Sequence, residues 1–283
     1  MIGKIIRKYF FKQAKPRFDS EADIIDFKSN AWKSRKMADA YHKEVEHVFF
    51  DNVTAKIFID NIESNSHVLD VGAGTGRLSL LLADNGCRVL ACDISREMLS
   101  YIDKNKDKRN IETMEAAATA IPVQDEQFDA VVSMDFMLHF PDWKDLLKEQ
   151  ARLCKKGGVI MFNFLSSDNT DFLKNNRKNG EAISNYFAVN YASFANEKQM
   201  EDVARGLGLN VEAMYPYNFF TANSMFGCNL TKDQVDGFTE RFNEAIKDES
   251  VMRFVKLFEE DIVRNLPISC SVTMIVKLRK IDR

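Results

Sequence analysis

The sequence predicts an α/β fold built on a doubly wound parallel sheet, with helical additions before the first strand and before the last. Three observations carry this. Between residue 67 and about 218, short apolar runs alternate with amphipathic helical patterns. Runs that are apolar throughout suit parallel strands buried on both faces. The first run opens into "VLDVGAGTGRLSL", Val68 to Leu80, which packs three glycines into five residues in a chain with only 12 among 283. Outside this region, the closing run at 268–278 excepted, the apolar spacing is helical.

The elements follow in order. Ile2, Ile5, Ile6, Tyr9 and Phe10 repeat at helical spacing with Lys4, Arg7, Lys8 and Lys12 between them, and Pro16 ends the segment. A second helical stretch runs from Asp26 to Ile62. Strands are expected in "HVLDVG" (67–72), "CRVLACD" (87–93), "IETMEAA" (111–117), "FDAVVSM" (128–134), "GGVIMFNFL" (157–165) and "LNVEAMYPYNFF" (209–220). Helical patterns separate them, and the one from Trp143 ends on Lys155, Lys156 and Gly157, as a helix C-terminus does. "TKDQ" (231–234) reads as a capping box ahead of a helix carrying Val235, Phe238, Phe242, Ala245 and Ile246 on one face. A further amphipathic segment ends near Pro267, and the β-branched run 268–278 closes the chain. The domain reading is a helical N-terminal cover at 1–62 and a core at 63–283, with a helical lid inserted at about 219–266.

Composition narrows the function classes. The apolar fraction is 45%, the charged fraction 29% and the net charge −3, which argues against a nucleic-acid partner. Cys87, Cys92, Cys154, Cys228 and Cys270 form no CxxC and are odd in number, so neither a disulfide framework nor a metal site is expected. The longest apolar runs fall far short of the ~20 residues a membrane helix needs. The cysteine usage suits a reduced, cytoplasmic protein, and bases break every apolar run of the first 17 residues, unlike a secretory signal. Those residues hold six bases and no acid. As an amphipathic helix they suit peripheral contact with an anionic membrane or a partner, or equally a solvated face.

The glycine loop lies at the carboxyl end of the first strand, where open α/β sheets bind ligands. Two ligands compete for it: a dinucleotide pyrophosphate, and a cofactor carrying an amino acid and a positive charge. The dinucleotide fingerprint is G-x-G-x-x-G, whose third glycine would fall at position 77. Position 77 is Arg77, and Gly72, Gly74 and Gly76 make G-x-G-x-G instead. Asp70, two residues before the loop, would repel a pyrophosphate and attract an ammonium or sulfonium. Asp93 ends the second strand and can accept both hydroxyls of a ribose.

These residues resemble the class I S-adenosylmethionine-dependent methyltransferases. "VLDVGAGTGRLSLLLA" is similar to the family's first motif and "ACDISREML" to its second. "AAATAIPVQDEQFDAVVSMDFMLHF" and "LLKEQARLCKKGGVIMFNF" resemble the stretches that follow, so the likeness covers about residues 65–165. It implies a Rossmann-like seven-stranded sheet whose last strand is antiparallel, with S-adenosylmethionine across the strand ends. It assigns Gly72 and Gly74 to the methionine part, Asp93 to the ribose and Asp70 to ordering the methionine end. Ala73, Ile94 and Met134 complete the cofactor set beside these positions. Many members place an Asp against the adenine amine where this chain has Ala117, leaving the Ala118 backbone to meet the ring.

Methyl transfer from a sulfonium is an in-line displacement, so positioning is most of the catalysis. A hydroxyl or ammonium acceptor also needs a base. His139, just past the fourth strand, is the candidate, with capping or packing under the next helix as its alternative. Asp135 is common at its position in related sequences and carries no separate signal. Substrate or lid contacts are expected from Trp32, Arg35, Tyr41 and His42 on the N-terminal cover and from Phe219 and Phe220 at the insertion. The clustered phenylalanines favour a partly apolar acceptor. The reading is a methyltransferase acting on a small molecule, such as a sugar or lipid-linked intermediate. Its rivals are a macromolecule methyltransferase, a non-catalytic S-adenosylmethionine-binding assembly partner and an NAD-dependent oxidoreductase, the last disfavoured by Arg77 and Asp70.

Overall fold

A computed structural model describes residues 18–45, 49–168, 192–219 and 231–281. The expected basic helix at 1–17 and Phe220 lie outside these residues. The described strands are β1 (His67–Val71), β2 (Arg88–Asp93), β3 (Ile111–Glu115), β4 (Phe128–Ser133), β5 (Cys154–Ser166), β6 (Phe194–Ala195), β7 (Leu209–Tyr217) and β8 (Thr273–Lys280). Seven of them follow the order β3-β2-β1-β4-β5-β8-β7, and the short β6 pairs with β5 off this path. The last strand, β8, runs antiparallel to both neighbours, β5 and β7, while β1 to β5 pair in parallel. The order reverses between β1 and β4, which opens the crevice at their carboxyl ends.

Alternation along the strands builds two cores, one on each face of the sheet. Leu69, Val71, Leu90, Cys92, Val131, Ile160 and Phe162 face one side. There they meet α6 (Trp143–Leu153) and α7 (Glu197–Gly206). Val68, Val89, Ala91, Val132 and Met161 face the other side. There they meet α3 (Phe49–Asp60), α4 (Arg77–Asp84) and α5 (Arg96–Asn105). Cys87, Cys92, Cys154 and Cys270 are free and buried.

The N-terminal region departs from the expected single stretch at 26–62. It is broken into α1 (Glu21–Trp32), α2 (Arg35–Val45) and α3. Ser20 starts α1 with a reciprocal capping box to Asp23. The break at Lys33 and Ser34 restarts the chain, with the Ser34 carbonyl accepting from the Met37 and Ala38 amides at 3.0 Å each. The insertion holds α8 (Lys232–Ala245), begun by the expected Thr231/Gln234 capping box, and α9 (Glu249–Leu257). Ile246 of the turn after α8 and Val255 of α9 are buried in the core shared with α3, Tyr215 and Tyr217. Among the described residues no helix is long and apolar enough to cross a membrane.

Candidate active site

The loop after β1 closes on itself and on the end of β2. The Gly72 and Ala73 amides donate to the Cys92 carbonyl at 2.8 and 3.0 Å. Gly72 has φ +73°, and a Cβ there would stand 2.2 Å from the Phe136 ring, so only glycine fits beneath that side chain. Gly76 has φ +90°, and a Cβ would meet Ile102 of α5 at 2.5 Å, so this glycine serves helix packing.

Asp93 is pinned at the end of β2. Gly74 donates its amide to one carboxylate oxygen at 2.9 Å, and Ser95 donates its amide to the other at 2.9 Å. Burial raises the Asp93 carboxyl above the usual range, and these amides oppose the rise. The Ser95 hydroxyl caps α5 by accepting from the Met98 amide at 3.2 Å. It also donates to the Trp32 carbonyl at 2.8 Å, which ties α1 to the site. Asp70 is 2% exposed and accepts from the Ser79 hydroxyl at 2.6 Å. Burial pushes its carboxyl up to about 6, with the nearby Asp93 charge adding and Ser79 and Arg77 opposing.

A cavity of about 70 Å³ sits between these strand ends and the N-terminal helices. Of the residues expected at the cofactor, Gly72, Gly74, Asp93, Ile94 and Met134 border it. Asp70 lies buried behind the loop, and Ala73 packs against the α3-side core. Ala117 is exposed, in a turn where its carbonyl accepts from the Ala120 amide at 3.0 Å. Ala118 packs against the opposite core, and neither alanine borders the cavity.

The cover residues divide. Trp32 and Tyr41, edge to face with centroids 5.4 Å apart, both line the cavity. Arg35 and His42 do not border it. Arg35 bonds Asp39 at 2.8 Å, Glu97 at 3.3 Å and Ser100 at 3.0 Å. His42 stacks on Tyr101 with centroids 4.2 Å apart. The physical reason is the break after Trp32: α2 presents these two side chains to the outer face of α5, where they bolt the helices together. Phe219 likewise does not border the cavity. Its ring packs on Phe258 and its amide donates to Glu259 at 2.7 Å.

Several residues at the site were not anticipated. Ser29, Met98, Phe136 and Phe140 border the cavity beside His139 and Asp135. Asp135 has φ +55°, a conformation few non-glycine residues adopt. Its amide donates to Asn163 Oδ1 at 2.6 Å, and its carboxylate takes Arg77 at 2.7 Å and the Asn163 amide. Asn163, fully buried in β5, also donates to the Tyr217 hydroxyl at 2.5 Å. His139 Nδ1 lies 3.3 Å from Lys28 Nζ of α1. Burial, then the Lys28 charge, hold the imidazole well below its ordinary value, and the Asp135 carbonyl opposes them. Burial lowers the Lys28 ammonium to about 7.

Part of the chain is similar to known methyltransferases. Residues 69–162 match the family described as a methyltransferase domain. The sarcosine/dimethylglycine N-methyltransferase of Halorhodospira halochloris is 38% identical over 104 residues, 35% of this chain and 37% of that one. The phosphatidylethanolamine N-methyltransferase of Cereibacter sphaeroides is 35% identical over 106 residues, 36% of this chain and 52% of its own. The chain thus spans between a third and about half the length of the curated relatives it matches. A phosphoethanolamine N-methyltransferase of Haemonchus contortus, solved with S-adenosylhomocysteine, shares the fold. Its TM-score is 0.59 at 17% identity, over 94% of this chain and 61% of that one. The glycine loop and the pinned Asp93 both lie inside the segment that matches the methyltransferase-domain family.

Proposed function

We propose that the protein transfers a methyl group from S-adenosylmethionine to a small, partly apolar acceptor, with a sugar or a lipid-linked intermediate as the leading candidates. The observation that carries this reading is Asp93. Two backbone amides aim its carboxylate beside a loop of left-handed glycines, under a roof of Trp32, Tyr41, Phe136 and Phe140.

The donor set fits the cofactor in chemistry. A carboxylate held by two amides keeps lone pairs for a ribose diol. A negative Asp70 behind the loop favours a positive ligand, and bare glycine backbone permits close approach. The cavity is smaller than the ~300 Å³ at which ligand pockets begin. Phe136 rests on Gly72 and Tyr41 stands 3.8 Å from where a Gly74 Cβ would be, so these two rings move outward when the site fills.

When bound, S-adenosylmethionine supplies an electrophilic methyl on a positive sulfur. The chain's own residues bind, orient and exclude water. Asp93 accepts the ribose hydroxyls, and the Gly72–Gly74 backbone fixes the amino-acid end. The Arg77–Asp135–Asn163–Tyr217 network holds the ends of β4, β5 and β7 in one arrangement, so the acceptor meets a preorganised wall. The aromatic roof keeps water from the reacting centre. Among relatives, the sarcosine/dimethylglycine and phosphatidylethanolamine N-methyltransferases support a small-molecule or lipid acceptor by their names.

Calorimetry with S-adenosylmethionine, S-adenosylhomocysteine and NAD tests the cofactor half. Binding of the first two without NAD is expected, and NAD binding alone would overturn it. Methyl transfer from labelled cofactor, screened across small amines, hydroxylated sugars and lipid vesicles, tests the acceptor half. Transfer only to protein or nucleic acid would refute a small-molecule acceptor.

A further inference from the structure

We infer that Asp135 selects the acceptor: its carboxylate takes a hydrogen bond from the nucleophile, so the methylated atom is an amine nitrogen or a hydroxyl oxygen that carries a hydrogen. This rests on the proposed function and names the substrate class of the same site.

Asp135 lies two residues beyond β4, where the strand order reverses against β1. It borders the cavity that Gly72, Gly74 and Asp93 also border. Among the described residues around that cavity, Asp93 and Asp135 are the acids, and none is a lysine or an arginine. The Asp93 carboxylate is engaged by the Gly74 and Ser95 amides and is the proposed ribose acceptor. Asp135 is therefore the second anionic group that a ligand in the cavity can meet.

The side chain is held in place. Arg77, which opens α4, donates to Oδ2 at 2.7 Å, and the Asn163 amide donates to Oδ1. The Asp135 backbone amide donates in return to Asn163 Oδ1 at 2.6 Å, and Asn163 is fully buried. The His139 ring bonds the Asp135 backbone carbonyl and so does not use the carboxylate. A carboxylate has about four lone-pair sites, so the Arg77 and Asn163 donors leave room for another. The side chain keeps 21% of its surface exposed. Its backbone sits at φ +55°. Asparagine or glycine would suit that turn without a charge, so the turn itself does not call for an acid. A pinned acid on a sparsely populated backbone conformation, at the edge of a cavity, points to use by a ligand.

A carboxylate accepts hydrogen bonds and donates none. It can orient an N–H or O–H while the lone pair of the same atom points into the cavity. Arg77 offsets its charge, so the pair suits an uncharged nucleophile, whose lone pair is free, better than an ammonium. A carboxylate acceptor would set like charges against each other. Arg77 also follows Gly76 directly, so one ion pair joins the glycine loop to the wall that meets the acceptor.

Labelled methyl transfer by the wild type is measured on four separate arms: small primary and secondary amines, hydroxylated sugars, short-chain carboxylates and thiols. Transfer is expected in the amine arm or the hydroxyl arm, and the arm that responds names the source of the hydrogen. Asp135→Asn keeps the size and suits the turn but removes the charge. It should lower kcat/KM on that arm about tenfold or more, with S-adenosylhomocysteine affinity by calorimetry within about twofold of wild type. Transfer confined to carboxylates or thiols overturns the inference, as does no transfer in either expected arm. So does an Asp135→Asn protein that transfers as well as the wild type. Loss of S-adenosylhomocysteine affinity along with transfer also overturns it, because the carboxylate would then serve the cofactor seat. If Asp135→Asn fails to fold, Asp135→Gly, which suits the same φ, takes its place. Wild-type calorimetry with S-adenosylhomocysteine reads the proposed function separately. Binding with transfer to a carboxylate or thiol leaves methyl transfer standing and removes the selection by Asp135.

Discussion

Replacing Asp70 by Asn should make the free protein more stable at neutral pH. Asp70 is 2% exposed, and burial raises its carboxyl from 3.8 to about 6. A folded-state value above the unfolded one means the folded protein binds the proton more tightly. The associated stability is fully present below the unfolded value and is lost as pH rises through the folded one. The difference is about two units, and at 1.36 kcal/mol per unit the loss above pH 6 is at most about 3 kcal/mol. Asn is neutral at every pH, and its Oδ1 can still accept from the Ser79 hydroxyl that now bonds Asp70 at 2.6 Å. Urea unfolding of both proteins across the acid-to-neutral range is the assay. The variant's advantage should be largest at about pH 7.5 and shrink steadily toward about pH 4. The same variant should bind S-adenosylmethionine less tightly, since it removes the negative charge behind the loop. A variant less stable than the wild type at neutral pH would refute the reasoning, as would a difference that does not change with pH.

Asp93→Ala should weaken S-adenosylhomocysteine by about 1.5–3 kcal/mol, the worth of charge-assisted hydrogen bonds to a diol. An affinity within about a factor of two of wild type by calorimetry would remove Asp93 from the ribose. Gly72→Ala forces a side chain onto a φ of +73° and into the Phe136 ring at 2.2 Å. It should lower stability by about 1–3 kcal/mol and abolish cofactor binding, and wild-type melting with wild-type affinity would contradict the close packing. Hydrogen exchange should show the loop at 70–77, the end of β2 and the helices from Trp32 to His42 gaining protection with S-adenosylhomocysteine. If α1 and α2 exchange identically with and without it, they do not close over the cofactor.

Much of the fold was legible because each buried strand wrote its own signal. "HVLDVG" and "CRVLACD" are apolar on both faces and end in an acid and a glycine loop, so local pattern and site coincide in one stretch. The capping box at Thr231 was legible for the same reason. The one at Ser20–Asp23 carried an equal local signature ahead of α1. Side-chain destinations were harder. Trp32 and Arg35 look like neighbours at helical spacing, but the two-residue break between them turns α2 and sends Arg35 to α5. Two polar residues did leave a mark in the sequence. Lys28 interrupts an apolar face at Ile24 and Ala31, and Asn163 stands alone in "VIMFNFL". Neither mark names its partner: His139 and Tyr217 are 111 and 54 residues away, a distance only the folded sheet closes.

Ser95 has a consequence for how the protein handles two ligands. Its amide holds Asp93 while its hydroxyl holds the last carbonyl of the helix that roofs the cavity. One buried residue thus belongs both to the proposed seat of the ribose and to the end of the helix beside the cavity. Linkage is reciprocal, so any cofactor that firms Asp93 and its flanking turn must favour the seated roof by the same free energy with which a seated roof favours the cofactor. An acceptor lodged under Trp32 would then tighten the cofactor without touching it. The coupling between the two would be carried by a hydroxyl that contacts neither.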